Sequence, residues 1–341
     1  TTARHSYFQS WPVQLRTKDD SPIRCSHLLI AFPPSTPSYV QEVKRALAEW
    51  DGSGTAVFIS STGVFLENSG GLIDDHSALN QESPLMEAEQ LALSAGAHIL
   101  RLGGLYSVHD GPHRYWQKQG QSDFHPEGYL NLIHRQDAAE VVARVLKSEL
   151  KAKSWIVTDG QPMKRSHIAN SWAEITGTQP CIFDPNSEDL GKRIESAEIF
   201  EALEFSPRRK NFLDFIAALR SPRNVFGQPL KSCCRNPLTG FYRDGFCRNG
   251  ADDHGEHTAC ADMTDAFLKF SKSAGNDLST PRPEYGFRGL VSGDKWCLCA
   301  SRWLEAWTHN CAPRLYLESC HLDFLDWTSM EELKKFALDL A

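Results

Sequence analysis

A chain of 341 residues is longer than one hydrophobic core commonly serves, so two domains are expected. Its 41% hydrophobic and 23% charged residues are ordinary for a globular protein, and no apolar run approaches the ~18 residues of a membrane span, which excludes a membrane-embedded role. Lys and Arg number 36 against 43 acidic residues, a net charge of −7, so no overall field recruits nucleic acid. Residue 1 is Thr and no apolar signal core follows it, from which a removed leader or a fragment is expected. Ten cysteines in so long a chain do not make a small disulfide scaffold, and an intracellular soluble setting, cytoplasm or organelle stroma, is expected. Only Cys25 and Cys181 precede residue 224, so the other eight cysteines mark a second module in the last third.

Strand-like and helix-like patterns alternate from about residue 26 to 220, the signature of a parallel sheet with helices on its faces. His27 to Phe32 predicts a buried strand stopped by Pro33-Pro34, and Val40, Val43, Ala46, Leu47 and Trp50 recur at helical spacing. Thr55 to Ser60 predicts a strand, Ser83 to Ser94 a helix, and His98 to Leu102 another strand. Asp137 stands before the apolar face Ala138, Val141, Val142, Val145 and Leu146, where it predicts a helix N-cap. Trp155 to Val157 predicts a strand and Asn211 to Leu219 a closing helix, with residues 221–224 as the linker.

Five pieces in order, SSTGVF at 60–65, EAEQLAL at 87–93, ILRLGGLY at 99–106, NLIHRQDAA at 131–139 and KRIES at 192–196, resemble the atypical short-chain dehydrogenase and NAD-dependent epimerase family. The resemblance covers about residues 1–220 and implies an α/β Rossmann-like, doubly wound parallel sheet, incomplete at its N-terminus because the first strand and glycine turn would lie upstream of Thr1. It further implies NAD(P), with Arg4 against a 2′-phosphate, Pro33, Ser60, Arg101 and Gly103 along the cofactor, Ser61 orienting substrate, and Thr62 beside it. The family's proton shuttle is a Tyr whose pKa a Lys lowers one helical turn later. Here Gln81 stands at the Tyr position and Leu85 at the Lys position, so neither a titrating group nor a charge is supplied. No GxxGxxG precedes a helix, so backbone N–H groups for a pyrophosphate are not seen either.

From Val225 onward the composition turns to thiols, aromatics and turn residues. The runs from Cys233 to Cys247, from Asp252 to Cys260, from Gly275 to Pro281 and from Gly293 to Trp303 resemble the bacterial domain of unknown function 2237 over nearly all of residues 225–341. That resemblance supplies a boundary and no mechanism. Cys297 and Cys299 are two apart in a predicted strand and would share one face, while His257 and Cys260, near the start of the helical pattern Met263, Phe267, Phe270, would share a helical face. Together His257, Cys260, Cys297 and Cys299 make a tetrahedral zinc set, and buried unmetallated thiols are the alternative. A nucleophilic thiol, Cys247 or Cys260 activated by His254 or His257, is a further reading. Beyond it, a helix after Trp303, a strand at 315–317 and an amphipathic helix over Met330 to Leu340 complete an α+β, cysteine-rich domain.

Three functions stay open at this point: a non-catalytic module for a small-molecule or nucleotide ligand joined to the cysteine-rich domain, an NAD(P)-dependent oxidoreductase or epimerase completed by an upstream segment, and a metal or thiol site in the C-terminal domain. Neither a nucleic acid nor a membrane is an expected partner.

Overall fold

The computed structural model describes residues 24–195, 198–250 and 253–340; Arg4 lies outside them. Among the described residues no helix is long and apolar enough to cross a membrane. The chain divides into two compact units, one formed by residues 21–216 and one containing residues 217–341.

The first unit is an α/β fold on a four-stranded sheet in the order Leu28–Ile30, Ala56–Ser61, His98–Leu102, Ser154–Val157, every pair parallel. Parallel strands in this succession need crossover helices, and the alternation of side chains says where they pack. Val57, Leu100 and Val157 meet the helix Arg135–Lys147 through Ala138, Val141 and Val145. The opposite residues, Phe58 and Ile99, pack with Tyr39, Val43, Ala88 and Ala92 from the helices Tyr39–Glu49 and Pro84–Ser94. Two apolar faces on one sheet account for the near-continuous hydrophobic strands. The helix Pro84–Ser94 starts where local chemistry favours it: Ser83 Oγ accepts the Leu85 N–H at 3.3 Å, and Pro84 needs no donor partner.

The helix Arg135–Lys147 corrects one expectation. Its cap is His134, whose Nδ1 accepts the Gln136 N–H, and not Asp137. The buried Asp137 carboxylate instead accepts the backbone N–H groups of Arg208 and Arg209 at 2.8 and 3.0 Å, a long-range tie invisible to local pattern.

The second unit is α+β. Strands Ala259–Asp262 and Lys295–Leu298 pair antiparallel, and each leads into a helix, Asp265–Ser273 and Ala300–Thr308. Thr264 Oγ1 caps the first of these by accepting the Phe267 N–H at 3.2 Å. Trp303 is wholly buried at the centre, edge-on to Phe324 and Phe336, with its indole N–H given to the Pro313 carbonyl at 2.9 Å. Residues 315–317 form no strand of their own, because Leu315 bridges Ala261 on one side and Ala337 on the other. The last helix is only Met330–Lys335, since Leu315 N–H takes the Phe336 carbonyl and Leu338 N–H takes the Leu315 carbonyl. Within the stretch 221–224 Asn224 is fully buried, its Nδ2 donating to the Glu318 carbonyl and its Oδ1 accepting from Phe226 and Gln228.

Candidate functional site

In the first unit Arg101, one of the residues expected around a cofactor, is engaged by the fold. Arg101 is locked against Glu89, with Nη2 to Oε2 at 2.7 Å, Nε to both carboxylate oxygens at 3.2 Å, and side chains 6% and 4% exposed. Its guanidinium also lies 5.2 Å from the Phe65 ring centre. This buried pair ties strand to helix, and breaking one side leaves an uncompensated charge. Arg101→Ala is accordingly expected to cost about 3 kcal/mol or more of unfolding free energy, measurable by urea titration.

Gly103 has no room for a side chain: a Cβ there would stand 2.8 Å from the Asn131 carbonyl and 3.0 Å from Thr158 Cγ2. Pro33 is exposed, its carbonyl accepting the Thr36 N–H in a turn. Ser61 Oγ accepts the Gly63 N–H at 3.1 Å and so caps the 3-10 turn Thr62–Val64. Ser60 Oγ is buried without a hydrogen-bond partner. Gln81 is exposed in a turn, and Leu85 packs into the core. Of the set implied by the resemblance, Arg101 is therefore held by Glu89, whereas Pro33 is exposed and Ser60 Oγ has no protein partner.

A cleft of about 330 Å³ is lined by Leu66, Glu67, Asn68, Leu72, Ile73, Ser77 and Ala78. Glu67 is occupied there: the N–H groups of Gly71 and Ser69 bind its carboxylate and hold it below the usual carboxylate range. Elsewhere in this unit burial pushes the Asp159 carboxyl up to about 7, and its Oδ2 has no partner.

In the second unit the four expected zinc ligands separate. Cys260 is disulfide-bonded to Cys233 and Cys297 to Cys247, so neither Cys247 nor Cys260 is a free nucleophile and neither Cys260 nor Cys297 a thiolate ligand in this state. Two local geometries differ from the expectation. Residues 259–262 are strand, so the three-residue step from His257 to Cys260 is not a helical one. The second strand ends at Leu298, and Cys299 is the N-cap of helix Ala300–Thr308, which ends the same-face relation with Cys297.

What remains, His257 and Cys299, forms a site with a residue that the sequence did not single out. His257 Nε2 lies 3.3 Å from Cys299 Sγ. His257 Nδ1 lies 2.6 Å from Asp253 Oδ1, and Asp253 Oδ2 accepts the His257 backbone N–H at 2.8 Å. The Asp253 side chain is 0% exposed, whereas that of His257 is 29% exposed and Cys299 is half-buried. Thiol, imidazole and carboxylate thus run in line from the surface inward.

The tight turn 253–257 makes this possible. Gly255 passes so close to the pair that a Cβ would stand 2.9 Å from Cys299 Sγ and 3.0 Å from His257 Cε1. Glu256 takes a left-handed backbone, φ +49°, uncommon for a residue with a side chain. Its carbonyl accepts the N–H groups of Ala300 and Thr258 at 3.0 and 2.7 Å, and its carboxylate accepts the Trp327 indole N–H. The turn is thereby fastened to the start of the helix that carries Cys299. The Phe241 ring lies 5.7 Å from the imidazole, tilted 32°.

Burial alone would push the His257 imidazole down, but hydrogen bonds and charge from Asp253 and Cys299 outweigh it and hold its pKa at about 10, above the usual 6.5. A histidine raised in the folded state stabilises fully below its unfolded pKa and loses that contribution as pH climbs through the folded value. Unfolding free energy is therefore expected to fall between about pH 6.5 and pH 10, and His257→Gln to flatten that fall in chemical denaturation at a series of pH values.

The chain so defined carries a Rossmann-like α/β unit and a compact α+β unit, the latter bearing a Cys–His–Asp line. Residues 223–337 match the family described as an uncharacterized protein conserved in bacteria, DUF2237. No curated protein matches the chain. Among solved structures, the chain is similar to a functionally unknown conserved protein from Silicibacter pomeroyi, at 21% identity and TM-score 0.45, over 62% of this chain and 81% of that one. It is also similar to MoeE5 in complex with UDP-glucose and NAD, at 16% identity and TM-score 0.45, over 57% and 79%. A third similarity is to the dTDP-glucose 4,6-dehydratase from Bacillus anthracis in complex with NAD, at 11% identity and TM-score 0.44, over 56% and 71%.

Proposed function

We propose that the second unit is a thiol enzyme of the acyl-transfer class, with Cys299 as nucleophile, His257 as general base and then acid, and Asp253 as the group that orients His257. One observation carries it: sulfur 3.3 Å from one imidazole nitrogen and a buried carboxylate 2.6 Å from the other. This is the nucleophile–base–orienter order by which such sites are recognised on unrelated folds.

In the first step the proton shared by the pair already sits on His257 Nε2, as the raised imidazole pKa requires near pH 7, and Cys299 Sγ bonds to the carbonyl carbon of an acyl donor as the C=O π pair moves onto oxygen. His257 then returns the proton to the leaving group, and a thioester remains on Cys299 until water or another acceptor takes the acyl group. Asp253 accepts from Nδ1–H throughout, so Nε2 is the nitrogen left to serve the sulfur. The helix N-terminus favours negative charge near Cys299. In that first turn Ala300 N–H is committed to the Glu256 carbonyl, and Arg302 and Trp303 N–H to the Cys299 carbonyl. The Ser301 N–H of that turn is thereby a candidate donor for an oxyanion.

Thiol mapping tests the assignment. The non-reduced protein is pulsed with iodoacetamide near pH 7 and its peptides are weighed. Cys299 is expected to label ahead of Cys234 and Cys311, which are also half-buried free thiols. Equal labelling of the three would remove the proposal.

A second reading concerns the first unit, which we infer to bind a small ligand without hydride transfer. It is supported by the cleft lined by Leu66, Glu67 and Asn68, and by Gln81 and Leu85, which supply no proton shuttle. Saturable turnover of a nicotinamide cofactor with any sugar or ketone would end this reading.

A further inference from the structure

The two disulfides are adjacent, and three of their four sulfurs, those of Cys233, Cys247 and Cys297, converge, with Cys260 Sγ bonded to Cys233 at the edge of the group. Cys260 and Cys297 are direct cross-strand partners in the antiparallel ladder, so their side chains leave the same face side by side. Cys233 and Cys247, at the two ends of the turn-rich segment 233–247, come down onto that face, one onto each strand cysteine. The sulfurs of Cys233, Cys247 and Cys297 all lie within 4.8 Å of one another, and all four cysteines are buried.

We propose that Cys233, Cys247, Cys260 and Cys297 form a redox-gated zinc site: two disulfides when oxidised, one tetrahedral tetrathiolate when reduced. This set is distinct from the mixed His and Cys set suggested by the sequence, and it is separate from the Cys299 site. Zinc–sulfur bonds of about 2.3 Å place the sulfurs of a tetrahedron about 3.8 Å apart, a spacing within the present span of the three. Backbone groups already hold the frame: Cys297 N–H donates to Thr239 Oγ1 at 2.7 Å and Cys233 N–H to the Gly245 carbonyl at 2.8 Å. A fifth thiol, Cys320, is engaged with the Cys260 backbone, accepting its N–H at 3.3 Å and donating to its carbonyl.

The exchange balances with a dithiol as reductant. Two dithiol molecules each deliver two electrons and two protons, become disulfides themselves, and leave four protein thiols. Those four thiols release four protons as Zn²⁺ binds, giving a centre of net charge −2.

The test uses the full chain and Co²⁺ as the probe. Oxidised protein is expected to take up no cobalt, and dithiol-reduced protein one ion per chain, with the thiolate-to-cobalt charge-transfer bands of a tetrahedral site. Cys260→Ser and Cys297→Ser should each weaken binding by roughly 100-fold or more, while Cys299→Ser leaves it unchanged. Where reduction alone unfolds the second unit, added Zn²⁺ should restore its near-ultraviolet circular dichroism. Reduced protein that binds no cobalt, binds it without thiolate bands, or stays unfolded with zinc overturns the proposal. Loss of binding in Cys299→Ser alone would place the metal at the other site and also overturn it.

Discussion

Asp253→Asn is expected to lower turnover of an activated acyl ester by about 100- to 10,000-fold while the unit stays folded. The reason is tautomeric. Asp253 is fully buried and can only accept, so it fixes the proton on Nδ1 of His257 and leaves Nε2 facing Cys299 Sγ. An amide at 253 can present its NH₂ instead, which turns Nδ1 into the acceptor and puts a hydrogen on Nε2, where the sulfur's proton has to go. His257→Gln removes the base altogether and should slow alkylation of Cys299 near pH 7 by about 10- to 100-fold. Pseudo-first-order alkylation rates of folded protein, with Cys234 as internal reference, measure this. Unchanged rates in both variants would make the Cys–His–Asp line a structural hydrogen-bond chain.

Reduction of the disulfides in the presence of a chelator is expected to destabilise the second unit by about 4 kcal/mol for Cys247–Cys297 alone, which closes a 50-residue loop, and by slightly less for Cys233–Cys260, which closes 27. Both bonds join the segment 233–247 to the central strands, and that segment has little regular structure of its own with which to resist release. The first unit carries none of these four cysteines, so its unfolding transition should not move. Denaturant titrations with and without a dithiol, followed by tryptophan fluorescence and by circular dichroism, separate the two transitions. A second-unit midpoint insensitive to reduction and chelation would show that packing around Trp303 alone holds the unit together.

Zinc in place of the chelator should recover much of that loss if the four thiols gather around the metal, since a metal bound only by the folded form stabilises it by mass action. The same titration therefore distinguishes a purely covalent role of the four cysteines from a dual one.

Local pattern made much of the fold legible. The strands at 56–61, 98–102 and 154–157 and the helices at 39–49 and 84–94 coincide with apolar periodicity and with caps such as Ser83, because each depends on residues within a turn or two. Local pattern failed where a long-range partner overrode it. Asp137 looks like a cap until the N–H groups of Arg208 and Arg209 are seen to occupy it, and Arg101 looks like a ligand group until Glu89 is found against it. The terminal helix stops early because Leu315 claims the backbone beyond it.

A parallel α/β unit followed by a cysteine-rich α+β unit was legible in the amino-acid order alone, as was the expectation that Gln81 and Leu85 stand where the resembled family carries its proton shuttle. Only the tertiary structure decided which cysteines are spent on disulfides and which one stands beside a histidine. Cys299 and His257 are 42 residues apart, and Cys247 and Cys297 are 50. Contacts across such distances follow from how strands register and helices dock, and periods of 2 and 3.6 residues carry no record of them.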